Sequence, residues 1–140
     1  GWLLMVNWIN EPGIKDFSVF YGFIYRIDYT DGTCYFGLKN FTRLVTYQPI
    51  KGFKKKRKIY KESDWRTYKG SSKSGSFKVV QKKSILELAK SKGRLTYLEN
   101  KILYMENCLL RLDCINDNIS GKLYAKTICR EPIKWSTKCV

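Results

Sequence analysis

Two aromatic segments separated by a turn constrain the fold more than any other feature of this sequence. In segment 21–29, large apolar residues recur at every second position: Phe23, Tyr25, Ile27 and Tyr29. That period is typical of a half-buried β-strand. Thr30-Asp31-Gly32 has the composition of a turn, and residues 33–37 continue as a second strand. The sequence therefore predicts an antiparallel hairpin over residues 21–37.

The length of the hairpin loop decides which side chains share a face. A two-residue loop would pair Asp28 with Tyr35 and would place Tyr25 and Tyr35 on opposite faces. A three-residue loop pairs Ile27 with Tyr35, so that the two tyrosines become diagonal neighbours on one face. Gly32 stands where a three-residue loop requires a left-handed residue. We therefore predict the three-residue loop.

The segments after the hairpin give weaker signals. Residues 38–63 contain Pro49, Gly52 and a basic run, and they favour a long loop with a short helix near Asn40–Val45. Ser63–Tyr68 is predicted to be a capped helical turn that stops at Gly70. For residues 76–89, periodicity leaves strand and helix open, and Gly93 is expected to end that element.

A helix is predicted in the last third of the chain. Thr96 and Glu99 have the spacing of a capping box, and an apolar stripe leads from Leu98 to a helix end near Leu110. Residues 113–121 favour a loop, and the weak alternation of the tail to Val140 leaves open an added strand or a segment that wraps the surface. The expected architecture is a single α+β domain over residues 1–140.

The net charge of +15 is concentrated in the middle of the chain. Residues 51–94 hold 16 basic and 3 acidic groups, whereas residues 1–50 hold four of each. So local an excess favours a nucleic acid as the partner. A solvated lysine-rich loop is the alternative. A membrane surface is disfavoured, because the basic run lacks an apolar stripe, and no apolar run is long enough to span a bilayer.

Composition also excludes several kinds of chemistry. The chain has no histidine, which excludes His-based nucleophile systems and His metal ligands. Five cysteines without a CxxC pair favour free thiols in a reducing cytoplasm over a disulfide framework or a zinc site. Catalysis would have to rely on Tyr, Lys, Arg, Asp, Glu or Cys.

The two tripeptides of the hairpin, Phe23-Ile24-Tyr25 and Tyr35-Phe36-Gly37, resemble the paired motif of the GIY-YIG nuclease superfamily. Further segments follow in the order found in free-standing homing endonucleases of tailed phages. They are Lys39-Asn-Phe, the segment from Glu62 to Ser72, the segment from Ser91 to Lys101, and Asn116-Asp. The resemblance covers residues 21–120, with residues 1–20 and 121–140 as peripheral extensions.

The resemblance implies a fold and a site. The fold would be a small antiparallel sheet of about three strands with flanking helices. Tyr25 and Tyr35 would orient and activate a water molecule, Glu99 would bind Mg2+ or Mn2+, and Asn116 would support the site. Such an enzyme would hydrolyse phosphodiester bonds of double-stranded DNA in the cytoplasm. If the protein is phage-encoded, this would be the cytoplasm of the bacterial host. The residues expected to bind DNA are Lys39, Lys51, Lys54, Lys55, Lys56, Arg57, Lys58, Lys61 and Lys73.

The chain departs from the family pattern at one catalytic position. The family has an arginine eight or nine residues after the second motif, where this chain has Val45 and Thr46. Arg43 is the nearest substitute, and Arg66 is a second candidate. Glu99 could also serve only as the capping-box residue. The second hypothesis is therefore a catalytically impaired domain that retains nucleic-acid binding.

Overall fold

The computed structural model describes residues 6–128 as an α+β fold. The strands are β1 (Trp8–Asn10), β2 (Gly22–Tyr29), β3 (Cys34–Asn40), β4 (Thr42–Tyr47), β5 (Arg57–Glu62), β6 (Val80–Ala89), β7 (Asn118–Ile119) and β8 (Leu123–Tyr124). The helices are α1 (Lys92–Met105) and the short α2 (Ala125–Ile128), and a single 3-10 turn covers Ser74–Phe77.

The predicted hairpin is confirmed, including its register. Ile27 lies opposite Tyr35 in the β2–β3 pair. The Tyr29 N–H donates to the Thr33 carbonyl at 2.9 Å, which closes a three-residue loop. Gly32 has a φ of +88°, the left-handed conformation that this loop requires.

The main sheet has four strands, in the order β1-β6-β2-β3, and is mixed. The prediction of an antiparallel sheet of about three strands was therefore one strand short. β6 pairs antiparallel with β2, while β1 pairs parallel with β6. Segment 76–89, left open between strand and helix, forms β6 over most of its length. β1 contributes only three residues to the sheet, which is too short for a periodicity signal.

The prediction of a long loop over residues 38–63 was wrong. β4 and β5 form an antiparallel ribbon in which Thr42 lies opposite Glu62 and Tyr47 opposite Arg57. Strand β4 occupies the place of the short helix expected near Asn40–Val45. The ribbon is largely exposed on both faces, so its sequence shows no alternation between buried and exposed residues.

Helix α1 begins five residues earlier than predicted. Ser91 is its N-cap and accepts a hydrogen bond from the Arg94 N–H at 3.1 Å. Thr96 lies inside the helix and donates to the Lys92 carbonyl. Gly93 also lies inside α1 instead of ending an element. The helix ends at Met105 and not near Leu110.

The two faces of the main sheet bury different apolar clusters. On one face Phe23, Tyr25 and Ile27 pack with Phe41 and Trp65. The turn 64–67 that carries Trp65 confirms the turn predicted there, and the Ser63 hydroxyl accepts from the Trp65 N–H. The sheet is therefore covered on this face by loop segments rather than by a helix.

Helix α1 covers the opposite face, where Leu95 and Leu98 pack against Ile24. Cys34, Cys108 and Cys114 lie buried in the adjacent cluster. Strand β7 lies within the predicted loop 113–121. Among the described residues, no helix has the length and apolarity needed to cross a membrane. The C-terminal part of the tail, 129–140, lies outside the described residues.

Candidate active site

The two motif tyrosines lie side by side on one face of the hairpin. Tyr25 stands opposite Gly37, two register pairs from Tyr35, and the two phenol ring centroids are 6.1 Å apart. A Cβ on residue 37 would lie 2.6 Å from Cζ of Tyr25 and closer still to its hydroxyl. The second motif therefore needs glycine because the Tyr25 ring lies across its backbone.

Tyr25 is almost completely buried, with 1% of its surface exposed. Trp8 and Tyr68 flank its ring at centroid distances of 5.6 and 5.9 Å. A Cβ on Gly70 would lie 3.6 Å from the Tyr25 hydroxyl, so the backbone there covers that group. Burial, followed by the neighbouring phenols, holds the pKa of Tyr25 well above its usual range. The Tyr25 phenol is therefore neutral, and its ring is part of the packing on this face of the hairpin.

Tyr35 lies in a cleft of about 510 Å³ beside the hairpin. Its hydroxyl oxygen lies 3.2 Å from that of Ser71, and one of these two hydroxyls donates a hydrogen bond to the other. Burial raises the pKa of Tyr35, although the hydrogen bond with Ser71 opposes the shift. The other polar side chains that line this cleft are Ser72, Lys73, Glu99, Asn116, Asp117, Asn118 and Ser120. Four separate segments of the chain therefore meet at Tyr35.

Glu99 extends from α1 into this cleft. It does not cap the helix, because Ser91 is the N-cap. Burial raises the pKa of the Glu99 carboxyl, and a hydrogen bond with the Leu38 backbone opposes the rise. No ion pair within the described residues involves Glu99. A half-buried carboxylate without a cationic partner is suited to binding a metal ion.

The cleft fits a magnesium-type ion with few protein ligands. The carboxylates of Glu99 and Asp117 both line it, together with hydroxyl and amide oxygens. In residues 6–128, no group of three or more metal-binding side chains forms a complete cage. Mg2+ commonly uses one or two carboxylates and keeps several water ligands. The donor set at this cleft therefore suits Mg2+ or Mn2+ better than zinc.

Asn116 is buried and connects the cleft to the hairpin. Its Nδ2 donates to the Phe36 carbonyl at 2.7 Å, and its Oδ1 accepts from the Phe36 N–H at 3.0 Å. This pair of bonds imitates a further strand along the free edge of β3. Asn116 thereby fixes the backbone on either side of Tyr35 and brings Asp117 to the mouth of the cleft.

Comparison with known families agrees with this geometry. Residues 2–125 match the family model described as "Putative endonuclease segE, GIY-YIG domain". The chain belongs to this family of GIY-YIG endonuclease domains. No curated protein and no solved structure shows significant similarity to the chain. The family match begins at residue 2, so it includes β1.

Neither candidate arginine lines the cleft of this GIY-YIG domain. Arg43 lies on β4 and borders a different cavity. Arg66 pairs with Glu62 at 2.9 Å and lies 4.4 Å from the Trp65 ring centroid. Within residues 6–128, the basic side chain that lines the cleft is Lys73. Sequence reasoning had assigned Lys73 to DNA binding alone.

The other predicted DNA-binding residues fall in two places. Lys39 lies on the face of the tyrosine pair, where it contacts Asp64 at 2.7 Å and the Tyr68 ring centroid at 4.1 Å. The remaining ones lie on the β4–β5 ribbon and its connecting loop: Lys51, Lys54, Lys55, Lys56, Arg57, Lys58 and Lys61. All seven are exposed.

Lys83 is a buried cation that the sequence did not single out. Only 2% of its surface is exposed, and its Nζ donates to the Tyr68 carbonyl at 2.8 Å. The ammonium also lies 4.3 Å from the Trp8 ring centroid, and the Trp8 Nε1 donates to the Trp65 carbonyl at 2.7 Å. Desolvation, followed by the charge of Lys69, lowers the pKa of Lys83.

Lys83 and Trp8 together hold segment 65–68, which leads to Gly70 and Ser71. Lys83 lies in the polar run Gln81–Ser84, so no alternation in the sequence marks it as buried.

Proposed function

We propose that this GIY-YIG domain is a metal-dependent endonuclease that hydrolyses phosphodiester bonds of double-stranded DNA, as homing endonucleases of the family do. One observation carries the proposal: Tyr35, Glu99 and Lys73 converge on a single cleft although they come from three separate segments. A phenol, an unpaired carboxylate and a cation are the groups that a histidine-free phosphodiesterase needs. The resemblance to phage enzymes supports the cytoplasm of a bacterial host as its place of action.

Each cleft residue has a distinct proposed role. The neutral Tyr35 phenol, held by Ser71, orients the attacking water by hydrogen bonding. Glu99 and Asp117 would hold the metal ion, which when bound polarises the phosphate and stabilises the leaving oxygen. Lys73 neutralises phosphate charge in place of the family arginine. Tyr25 supports the Tyr35 ring from beneath and does not reach the cleft itself, so we assign it a positioning role.

The test is nicking of supercoiled plasmid DNA with Mg2+, with Mn2+ and with EDTA. We expect the metal ions to support cutting and EDTA to stop it. Glu99→Gln should lower the rate by about 100-fold or more, while DNA affinity measured in EDTA should change by less than about threefold. Glu11→Gln is the matched control, because Glu11 is exposed and lies outside the cleft. Normal cutting by Glu99→Gln would contradict the assigned site.

A second candidate function is DNA binding without catalysis. The observation that favours it is the absence of an arginine among the described residues that line the cleft. In this case the wild-type protein would bind DNA and would not nick it with any divalent cation. Lys73→Arg would then be informative, because a guanidinium can bind two phosphate oxygens at once.

A further inference from the structure

The β4–β5 ribbon, residues 42–62, forms a separate two-stranded sheet and carries a strong positive charge. We call it the arm. It carries eight basic residues and one acidic residue. No ion pair among the described residues involves any of the eight. An isolated two-stranded ribbon is at best marginally stable in water, so a surface that adds contacts to it would stabilise it.

The two faces of the arm differ in charge. The register places six residues on one face, here called the basic face: Arg43, Val45, Tyr47, Arg57, Ile59 and Lys61. The opposite face carries the other six: Thr42, Leu44, Thr46, Lys58, Tyr60 and Glu62. The basic face has three cations and no anion, whereas on the opposite face one cation and one anion cancel. Electrostatic attraction to a polyanion therefore favours the basic face.

Side-chain contacts keep the cations of the basic face together. Arg57 and Lys61 lie 5.7 and 5.3 Å from the centroid of the Tyr47 ring. Between these polar groups, Val45 lies opposite Ile59 and forms an apolar patch. On the other side of the ribbon, Leu44 and Tyr60 border a cavity against Tyr21 and Lys39. Arg43 borders the same cavity from the basic face, whereas the other five residues of that face do not line it.

The dimensions of the arm match a groove of the double helix. Its six register pairs extend over about 20 Å at about 3.3 Å per residue. The major groove, about 12 Å wide, admits a two-stranded ribbon. The loop at the far end exposes Phe53, and Lys54, Lys55 and Lys56 follow it in the same loop before β5 begins, where phosphates would flank a groove-bound ribbon.

We propose that the arm lies in the major groove of duplex DNA with its basic face toward the base edges. This inference rests on the proposed function for the substrate, and it adds the element, the face and the groove. Apolar contacts from Val45 and Ile59 would meet thymine methyl groups, while Arg43, Arg57 and Lys61 would meet base or phosphate oxygens. The domain would then have a source of sequence preference within the nuclease fold itself.

Adjacent residues on β5 provide a matched test. Ile59 and Tyr60 are 44% and 70% exposed, and they point to opposite faces. Ile59→Glu and Tyr60→Glu add the same charge to the same strand, so their general electrostatic effects on DNA affinity are alike. We expect Ile59→Glu to weaken binding to a 30-bp duplex by about tenfold more than Tyr60→Glu. The measurement is fluorescence anisotropy of labelled DNA in EDTA, with circular dichroism of both variants.

A second pair on the partner strand protects the test against misfolding of one variant. Val45→Glu and Leu44→Glu repeat the comparison, because Val45 lies opposite Ile59 and Leu44 opposite Tyr60. Methyl green, which occupies the major groove, should compete with the wild-type protein, and distamycin, which occupies the minor groove, should not. Equal losses in both pairs, or competition by distamycin alone, would overturn the proposal.

The outcomes separate this proposal from the proposed function. If the plasmid is nicked and the two faces behave alike, the arm proposal fails and the nuclease stands. If the plasmid is not nicked and the basic-face variants still bind about tenfold more weakly than their controls, the arm proposal stands and the catalytic proposal fails. If none of the four variants changes DNA affinity, the arm does not contact DNA, and a protein partner would have to be sought for it.

Discussion

Replacing Gly37 by alanine tests the packing beneath the candidate active site. The added Cβ would lie 2.6 Å from Cζ of Tyr25. The ring cannot swing away freely, because Trp8, Tyr35 and Tyr68 surround it at centroid distances of 5.6, 6.1 and 5.9 Å. Overpacking of this kind costs about 1–3 kcal/mol.

Two opposing terms set the expected size of the effect. Alanine is favoured over glycine within a strand by about 0.5–1 kcal/mol, which leaves a net loss of about 1–2 kcal/mol at Gly37. With an unfolding entropy of about 2.1 cal/mol/K per residue, this loss corresponds to a fall in Tm of about 3–7 °C for a chain of this length. Plasmid nicking should fall further than the stability loss explains, because displacement of Tyr25 moves Tyr35.

Gly93→Ala is the matched control for thermal unfolding by circular dichroism. A Cβ on Gly93 meets no atom within 4 Å, and the residue lies in helix α1. It should raise the stability by about 1 kcal/mol. Tyr25→Phe combined with Gly37→Ala should recover part of the loss, since the hydroxyl is the closest atom to the new methyl group. An unchanged Tm for Gly37→Ala would refute the reasoning.

Four further predictions follow from the site and the hairpin. The raised pKa of Glu99 predicts that the wild-type protein loses metal-supported nicking at a higher pH than an ordinary carboxyl would allow. It also predicts an unfolding free energy that falls as pH rises through that pKa, and this dependence should vanish from Glu99→Gln. Tyr35→Phe should lower nicking by about 100-fold, with DNA affinity in EDTA unchanged. Lys83→Met removes the ammonium that donates to the Tyr68 carbonyl, so trypsin should cut the segment after Tyr68 faster than in the wild-type protein. Lys83→Arg should restore most of the resistance to trypsin. Gly32→Val should cost about 1–3 kcal/mol in urea unfolding because of the positive φ, and Gly32→Asn should cost less.

Local rules were sufficient for the central hairpin. The alternation of apolar residues in β2, the turn chemistry before Thr33 and the glycine at position 32 all act within a few residues of one another. Their agreement determined the register correctly, and the register alone placed Tyr25 and Tyr35 on one face. The family resemblance began with the same segment, was strengthened by the order of the segments after it, and was confirmed by the family match.

The start of helix α1 shows where local rules gave two answers. Ser91 and Thr96 are both acceptable N-cap residues. The earlier start brings Leu95 into the helix, where it packs with Leu98 against Ile24. Burial of this apolar residue against the sheet therefore favours Ser91, and it releases Glu99 from the capping role.

The sequence by itself determined the hairpin, the excess of positive charge and the family, because each depends on neighbouring residues or on composition. Only the tertiary structure decided the rest. Strand β1 joins β6 across more than seventy residues, and the cleft unites Tyr35, Ser71, Glu99 and Asp117 from four segments. The arm buries neither face, so no hydrophobic period marks it in the sequence. Contacts between distant segments leave no periodic trace, and for that reason Ser71 and Asp117 could be placed at the candidate cleft only in the folded chain.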